Sequence, residues 1–241
     1  MNRRGHDWPG PRRFYDQAGV DATAAGFEVR LDGRVPRSPG GRPLLLPTLA
    51  LAELVADEWN AQKEVIALAS MPATRLAYAA LDMDAAARND SVASVVRYAR
   101  TDLLCYFADG PASLVERQAA AWGPWLAWAR DDLGLAFSQA AGVVHQEQPP
   151  RTLARTEQLA LGLDDFALAG AAFATALFGS AILAFALMKG RIDASAAYAA
   201  SRVDEAFQEE RWGLDAEAAA RSDRLAADAR MLGGWFAAPG L

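Results

Sequence analysis

A lone cysteine, Cys105, and two histidines, His6 and His145, are all that this 241-residue chain offers of the usual soft metal ligands and nucleophiles. One cysteine excludes an intrachain disulfide and a cysteine-based zinc site, and it fits a reducing compartment. Within Thr101-Asp-Leu-Leu-Cys-Tyr-Phe107 it sits in an apolar run and reads as a packed thiol. The histidines are far apart in sequence and form no metal cluster. Lysine is scarce too, occurring only at Lys63 and Lys189, and the net charge is -6. That balance, with no basic stripe, excludes nucleic acid as the default partner and suits basic partners better. Phosphate loops, dinucleotide fingerprints, nucleophile elbows and His-Glu-x-x-His are all missing. Neither a cofactor nor a bound metal is expected. An enzyme would have to work with carboxylates, for which Asp102, Glu205 and Glu210 are the nominees. Glu205 and Glu210, five apart, lie on different sides of a helix and cannot form a close pair unaided.

The Arg3-Arg4 and Arg12-Arg13 pairs are not followed by an apolar stretch, so no export signal is complete. From Phe166 to Met188 there are 23 residues without a charge, long enough to span a bilayer. Gly179-Ser180 interrupts that run, however, with Ser180 suited to cap a new helix and Gly190 to end it, which predicts two buried helices and no stable membrane insertion. The expected setting is the cytoplasm, with the chain a monomer.

What is present is a change of periodicity near residue 47. Phe27, Val29 and Leu31 alternate with polar residues, Asp32-Gly33 predicts a tight hairpin turn before Arg34 to Ser38, and Leu44 to Leu46 predicts a third short strand. Helical spacing follows. Thr48 caps a helix carrying Leu51, Leu54, Val55, Glu58 and Trp59, and Pro72 opens another with Arg75, Leu76 and Tyr78. Further helices are expected over Ser91 to Tyr106 and Leu114 to Asp132, the latter kinked or restarted at Pro124 among Trp122, Trp125 and Trp128, which read as core. Gln146 to Pro150 is a linker between helical parts. The fold class is therefore α+β: a small β-rich domain over 1–47, extending to about 85 if its helices are included, and a helical domain over 48–241.

One carboxylate stands out. At about 100° per residue, Ala199, Val203, Ala206, Phe207 and Glu210 share one sector of a helix, so Glu210 is expected to face packing partners. A buried carboxylate must be paired or directed at something outside the chain. An intramolecular partner such as Arg75 or Arg202 would satisfy it; an external arginine would do so equally.

Several blocks carry a family resemblance. They are Arg13-Phe14-Tyr15, Gly26-Phe27, Leu31-Asp32-Gly33-Arg34, Pro43-Leu44, Leu46-Pro47, Glu58-Trp59-Asn60-Ala61-Gln62, and Met71-Pro72-Ala73-Thr74-Arg75-Leu76. Thr101 to Tyr106, Arg117-Gln118 with Trp122, Gly179-Ser180, and Asp204-Glu205 with Gln208, Glu210, Trp212-Gly213, Asp215 and Glu217 follow in order. Together they resemble the F1-ATPase assembly chaperones that act on the alpha subunit of ATP synthase in mitochondria and related bacteria. Ala73 stands where that family more often has leucine, and Phe207 where it has tryptophan; both are size changes at apolar positions. The resemblance implies a β-rich domain followed by a larger helical one. It implies that the chain binds the unassembled alpha subunit until the beta subunit replaces it, with no catalysis. Partner-binding residues are then expected at Glu210 and Trp212, with Glu205, Phe207, Trp59 and Arg75 in support; Trp59 also has the spacing of a core residue. The alternative is a carboxylate-based soluble enzyme.

Overall fold

The computed structural model describes residues 10–237 apart from 143 and 214. His6 and Arg3-Arg4 lie outside the described residues. Packing divides the chain after Asp82 into two compact units.

In the first unit an antiparallel sheet of order β1-β2-β3 is formed by β1 (Ala18–Thr23), β2 (Gly26–Leu31) and β3 (Leu45–Leu46). The hairpin expected from Asp32-Gly33 is realised only in part. Asp32 and Gly33 both take positive φ, 46° and 81°, and Leu31 and Arg34 exchange backbone hydrogen bonds of 2.8 and 2.9 Å across them. Beyond that turn, however, 34–38 makes only isolated bridges, because Pro36 lacks a donor and the 38–42 loop is tied to Asp82 through Ser38 Oγ and Gly40 N–H. The long partner of β2 is β1, which the alternation pattern did not reveal.

Helix α1 (Leu49–Asn60), capped by Thr48 as expected, lays Leu51, Val55 and Trp59 on the sheet against Val29, Leu31 and Leu46, all buried. Packing is thus not divided at the composition change near residue 47: α1 supplies the other half of the sheet's core. Pro72 opens α2 (Pro72–Leu81). The α1 residue Glu58 caps it, its carboxylate accepting from the N–H groups of Ala73 and Thr74 at 2.7 Å each and from the Thr74 hydroxyl at 2.8 Å. Burial nonetheless holds this carboxyl above its ordinary pKa.

In the second unit the element order is α3 (Ala85–Arg100), β4 (Tyr106–Phe107), α4 (Ala112–Leu133), β5 (Ala140–Ala141), α5 (Pro150–Leu161), α6 (Asp165–Phe178), α7 (Ala181–Met188), α8 (Ala194–Ser201), α9 (Val203–Trp212) and α10 (Ala216–Ala237), with β4 and β5 paired in parallel. The uncharged run does split at Gly179-Ser180: Gly179 takes φ 64°, Ser180 accepts from Leu183 N–H at 3.1 Å, and α7 is buried from Ala181 to Leu187 among α3, α4, α6, α8 and α10. Among the described residues no helix is long and apolar enough to cross a membrane.

Two expectations change. The helix expected over Ser91 to Tyr106 stops at Arg100, and a separate 3-10 turn (Leu103–Cys105) follows. Its first N–H groups are engaged by the 102–104 junction, where Asp102 accepts from Leu104 N–H and Leu103 N–H bonds Gly179. Pro124 neither ends nor restarts α4, which runs unbroken over 22 residues. Trp122 is fully buried, donating to the Ala200 carbonyl at 2.8 Å, while Trp125 and Trp128 are half-buried. The 146–150 linker is pinned by Gln148, which exchanges hydrogen bonds with Ser138 at 2.8 and 3.0 Å.

Candidate functional site

Helix α9 begins beside Arg202 with Asp204 and Glu205 in its first turn, where acidic side chains meet the positive end of the helix dipole. Only Val203 and Phe207 of this helix are buried. Three contacts fix it against α4. Trp122 of α4 reaches Ala200 just before α9, Gln118 bridges the Ala108 N–H (2.8 Å) and the Asp204 carboxylate (2.6 Å), and Arg117 meets Glu210. The order 122, 118, 117 against 200, 204, 210 means the two helices run antiparallel. Glu210 therefore lies opposite the beginning of α4, where little helix remains to cover it.

The expectation that Glu210 faces packing partners is corrected accordingly. The residue keeps its place on the stripe of Val203 and Phe207, but its side chain is 58% exposed. Its partner is neither Arg75 nor Arg202. Arg117 donates from both terminal nitrogens to the two carboxylate oxygens at 2.8 and 2.9 Å, a bidentate pair across 93 residues. Those hydrogen bonds hold the Glu210 carboxyl below its ordinary pKa and raise that of Arg117. Arg202 is engaged instead by Glu205 (3.3 Å) and Glu209 (3.0 Å).

Phe207, 8% exposed, is approached by two guanidinium groups, Arg211 at 4.3 Å and Arg117 at 5.5 Å from its ring centroid. It thereby positions the arginine that holds Glu210. Trp212 ends the helix with 78% of its surface exposed. It borders a cleft of about 420 Å³ between α9 and α10, along with Arg202, Glu205, Glu209, Arg221 and Leu225. Asp215, at the start of α10, caps that helix by accepting from Ala218 N–H at 2.8 Å.

Thus four of the six expected residues, Glu205, Phe207, Glu210 and Trp212, share one short helix, while Trp59 and Arg75 belong to the first unit. Trp59 is 5% exposed and packs edge-on against Tyr15, whose hydroxyl donates to the Trp59 carbonyl at 2.6 Å. Arg75 is exposed on α2. Arg117 and Arg211 were not among the expected site residues. Arg117 did stand in one of the resembling blocks, but a pair spanning two distant helices leaves no trace in the spacing of either.

Asp102, the remaining carboxylate nominee, is fully buried and its oxygens are taken: it accepts from Leu104 N–H and Ile182 N–H at 3.2 Å each and from the Ser180 hydroxyl. Cys105 is buried and its thiol is pushed up by burial and by the nearby Asp102 charge. His145 approaches the Tyr106 hydroxyl at 3.2 Å. Among the described residues no group of three or more His, Cys, Asp or Glu is arranged to hold a metal ion.

Comparison with known proteins gives this surface a context. The family model of the ATP12 chaperone protein matches residues 12–130. The crystal structure of Atp12 from Paracoccus denitrificans superposes with a TM-score of 0.83 at 40% identity, over 94% of this chain and 97% of that one. The Atu1473 protein from Agrobacterium tumefaciens does so with a TM-score of 0.86 at 38% identity, over 95% and 86%. Mitochondrial protein atp12 of Schizosaccharomyces pombe is 24% identical over 217 residues, 85% of this chain and 75% of that protein. The α+β order, a small sheet followed by a helical body, is that of the Atp12 structures. The chain belongs to the ATP12 chaperone family, a family of F1-ATPase assembly chaperones.

Proposed function

We propose that this protein binds the unassembled alpha subunit of F1-ATPase and shields its subunit-interface surface until the beta subunit takes its place, without catalysing any reaction. The observation that carries this reading is the α9 surface, where a solvent-exposed tryptophan, Trp212, stands two residues from a carboxylate held in fixed geometry by Arg117. A free alpha subunit exposes apolar surface meant for its neighbour, and covering about 800 Å² per partner would suppress aggregation while leaving the complex exchangeable. An exposed tryptophan is the side chain best suited to anchor such a contact. Register is then set by charge. A carboxylate offers about four acceptor sites and Arg117 uses two, so Glu210 can take an arginine of the client without releasing its own. Glu205 on the same helix adds to the acidic field, Phe207 keeps Arg117 in place, and Arg75 offers a contact from the first unit. Trp59, being buried, supports the first unit by packing.

The test uses the purified chain and isolated alpha subunit. The parent chain keeps the alpha subunit in the supernatant after centrifugation. The Glu210→Lys variant keeps its circular dichroism and thermal midpoint but loses this capacity, and Trp212→Ala weakens the complex by about tenfold or more. Full retention by Glu210→Lys would show that α9 is not the contact.

A further inference from the structure

Strand β1 is the outer strand of its sheet, and its free edge has a definite hydrogen-bonding pattern. Val29 of β2 donates its N–H away from β1, to the Leu44 carbonyl at 3.0 Å, and Leu31 likewise pairs with Arg34. Their β1 partners in the register, Val20 opposite Val29 and Ala18 opposite Leu31, are therefore non-hydrogen-bonded pairs. By the alternation of the antiparallel ladder the same holds for Ala22 opposite Phe27. The N–H and C=O groups of Ala18, Val20 and Ala22 consequently point to the open side. At Ala18 both are satisfied: the Asn60 side-chain amide accepts from the Ala18 N–H at 2.8 Å and donates to its carbonyl at 2.9 Å, occupying the first rung as a neighbouring strand would. Among the described residues the next two rungs, at Val20 and Ala22, have no such cover, and Gly19, Asp21, Ala22 and Thr23 are exposed.

We propose that the open edge of β1 receives an extended segment of the client as an added strand, hydrogen-bonded at Val20 and Ala22, with a lysine or arginine facing Asp21. The chemistry of the edge specifies main-chain partners. The two faces specify side chains. Val20, half-buried on the α1 side, continues the apolar layer, so its neighbours on the added strand are apolar. On the opposite face Arg30 is shared between Asp21 (2.8 Å) and Glu28 (2.6 Å), which leaves one negative charge in excess, and the Asp21 side chain is 62% exposed. A basic residue there is favoured. A second copy of the same strand fits poorly: pairing both open rungs antiparallel, Val20 opposite Ala22, places Asp21 against Asp21, and like charges directly opposite are destabilising. Registers shifted one way meet the Asn60 amide, and those shifted the other way run into the 24–25 turn.

The inference rests on the reading that the chain holds an unassembled alpha subunit, and the experiment separates the two. Amide hydrogen exchange is followed in the full chain, alone and in complex with isolated alpha subunit. The Val20 and Ala22 N–H groups exchange quickly in the free chain and are slowed about tenfold or more in the complex. Ala22→Pro removes one outward donor at an edge position where proline is tolerated, so the thermal midpoint is kept while affinity for the alpha subunit falls about tenfold. A complex that forms with exchange at both amides unchanged, or with Ala22→Pro binding as tightly as the parent, overturns the edge assignment and leaves the α9 reading intact. Failure of the parent chain to retain the alpha subunit overturns both. Slowing of the same amides with rising concentration of the chain alone identifies a second copy as the occupant and also overturns the proposal.

Discussion

Asp102 has no solvent exposure, yet it carries an ionisable group. Burial pushes its carboxyl up to about 6, outweighing the hydrogen bonds from Ser180, Ile182 and Leu104 that favour the charged form. A carboxyl with a raised folded-state pKa binds its proton more tightly in the native state. The stability this confers is complete below the unfolded value of 3.8 and is lost as the pH rises through about 6. Asp102→Asn cannot titrate, and with one acceptor oxygen in place of two it forfeits part of the backbone bonding from Ile182, Leu104 and Ala181, an offset that does not depend on pH. Between pH 4 and pH 7 the parent should therefore lose about 2 kcal/mol relative to the Asn variant in urea unfolding. A difference that stays flat with pH would refute the assignment. Asp102→Ala, which leaves buried N–H groups of Leu104 and Ile182 without acceptors, should cost about 2–4 kcal/mol at either pH. None of this was legible at residue scale, where Asp102 stood only as a carboxylate nominee for acid-base work and nothing beside it in the sequence pointed to the Ser180 and Ile182 groups that it meets. Glu210 was half legible: its angular position followed from the stripe, but its exposure depends on where α4 begins, a fact of tertiary structure.

Among the elements, those with strong local signals were legible and those stabilised only by their neighbours were not. Thr48, Pro72 and Gly179-Ser180 mark their helix ends because cap and break chemistry is local. Strand β1, Ala-Gly-Val-Asp-Ala-Thr, has one large apolar residue and sits at a sheet edge, so it forms on the template of β2 and leaves no alternation to detect. Close helix crossings are equally silent. Gly170 of α6 faces α10 so closely that a Cβ built there would lie 2.7 Å from Nε1 and 2.8 Å from Cδ1 of Trp235, and 2.9 Å from Cζ of Phe236. The indole cannot easily yield, because its N–H is bonded to the Phe166 carbonyl at 3.1 Å and its ring stacks on Phe166. Gly170→Ala, favourable by helix propensity alone, should instead destabilise the protein by about 1–3 kcal/mol in chemical denaturation. An unchanged or raised midpoint would mean the crossing has more slack than its distances imply.

At the scale of the whole molecule, the fold class was legible in the change of periodicity near residue 47, while the family was carried by the joint order of many weak blocks, since no single motif in this chain names a chemistry. If this chain shields a subunit interface of the alpha subunit as proposed, two ligands that need the same patch of that subunit must exclude one another. If the chaperone and the beta subunit compete, the apparent Kd of the chaperone for the alpha subunit rises in proportion to one plus the ratio of free beta subunit to its own Kd, about tenfold when beta is present at ten times that value. Titrating beta subunit into a preformed complex on a sizing column should therefore release chaperone in step with the appearance of the alpha-beta pair. The Glu210→Lys variant, holding no alpha subunit, should leave that pairing untouched. A ternary species that persists at saturating beta subunit would mean that the protected surface lies elsewhere, and the chaperone would then have to leave by a route other than replacement.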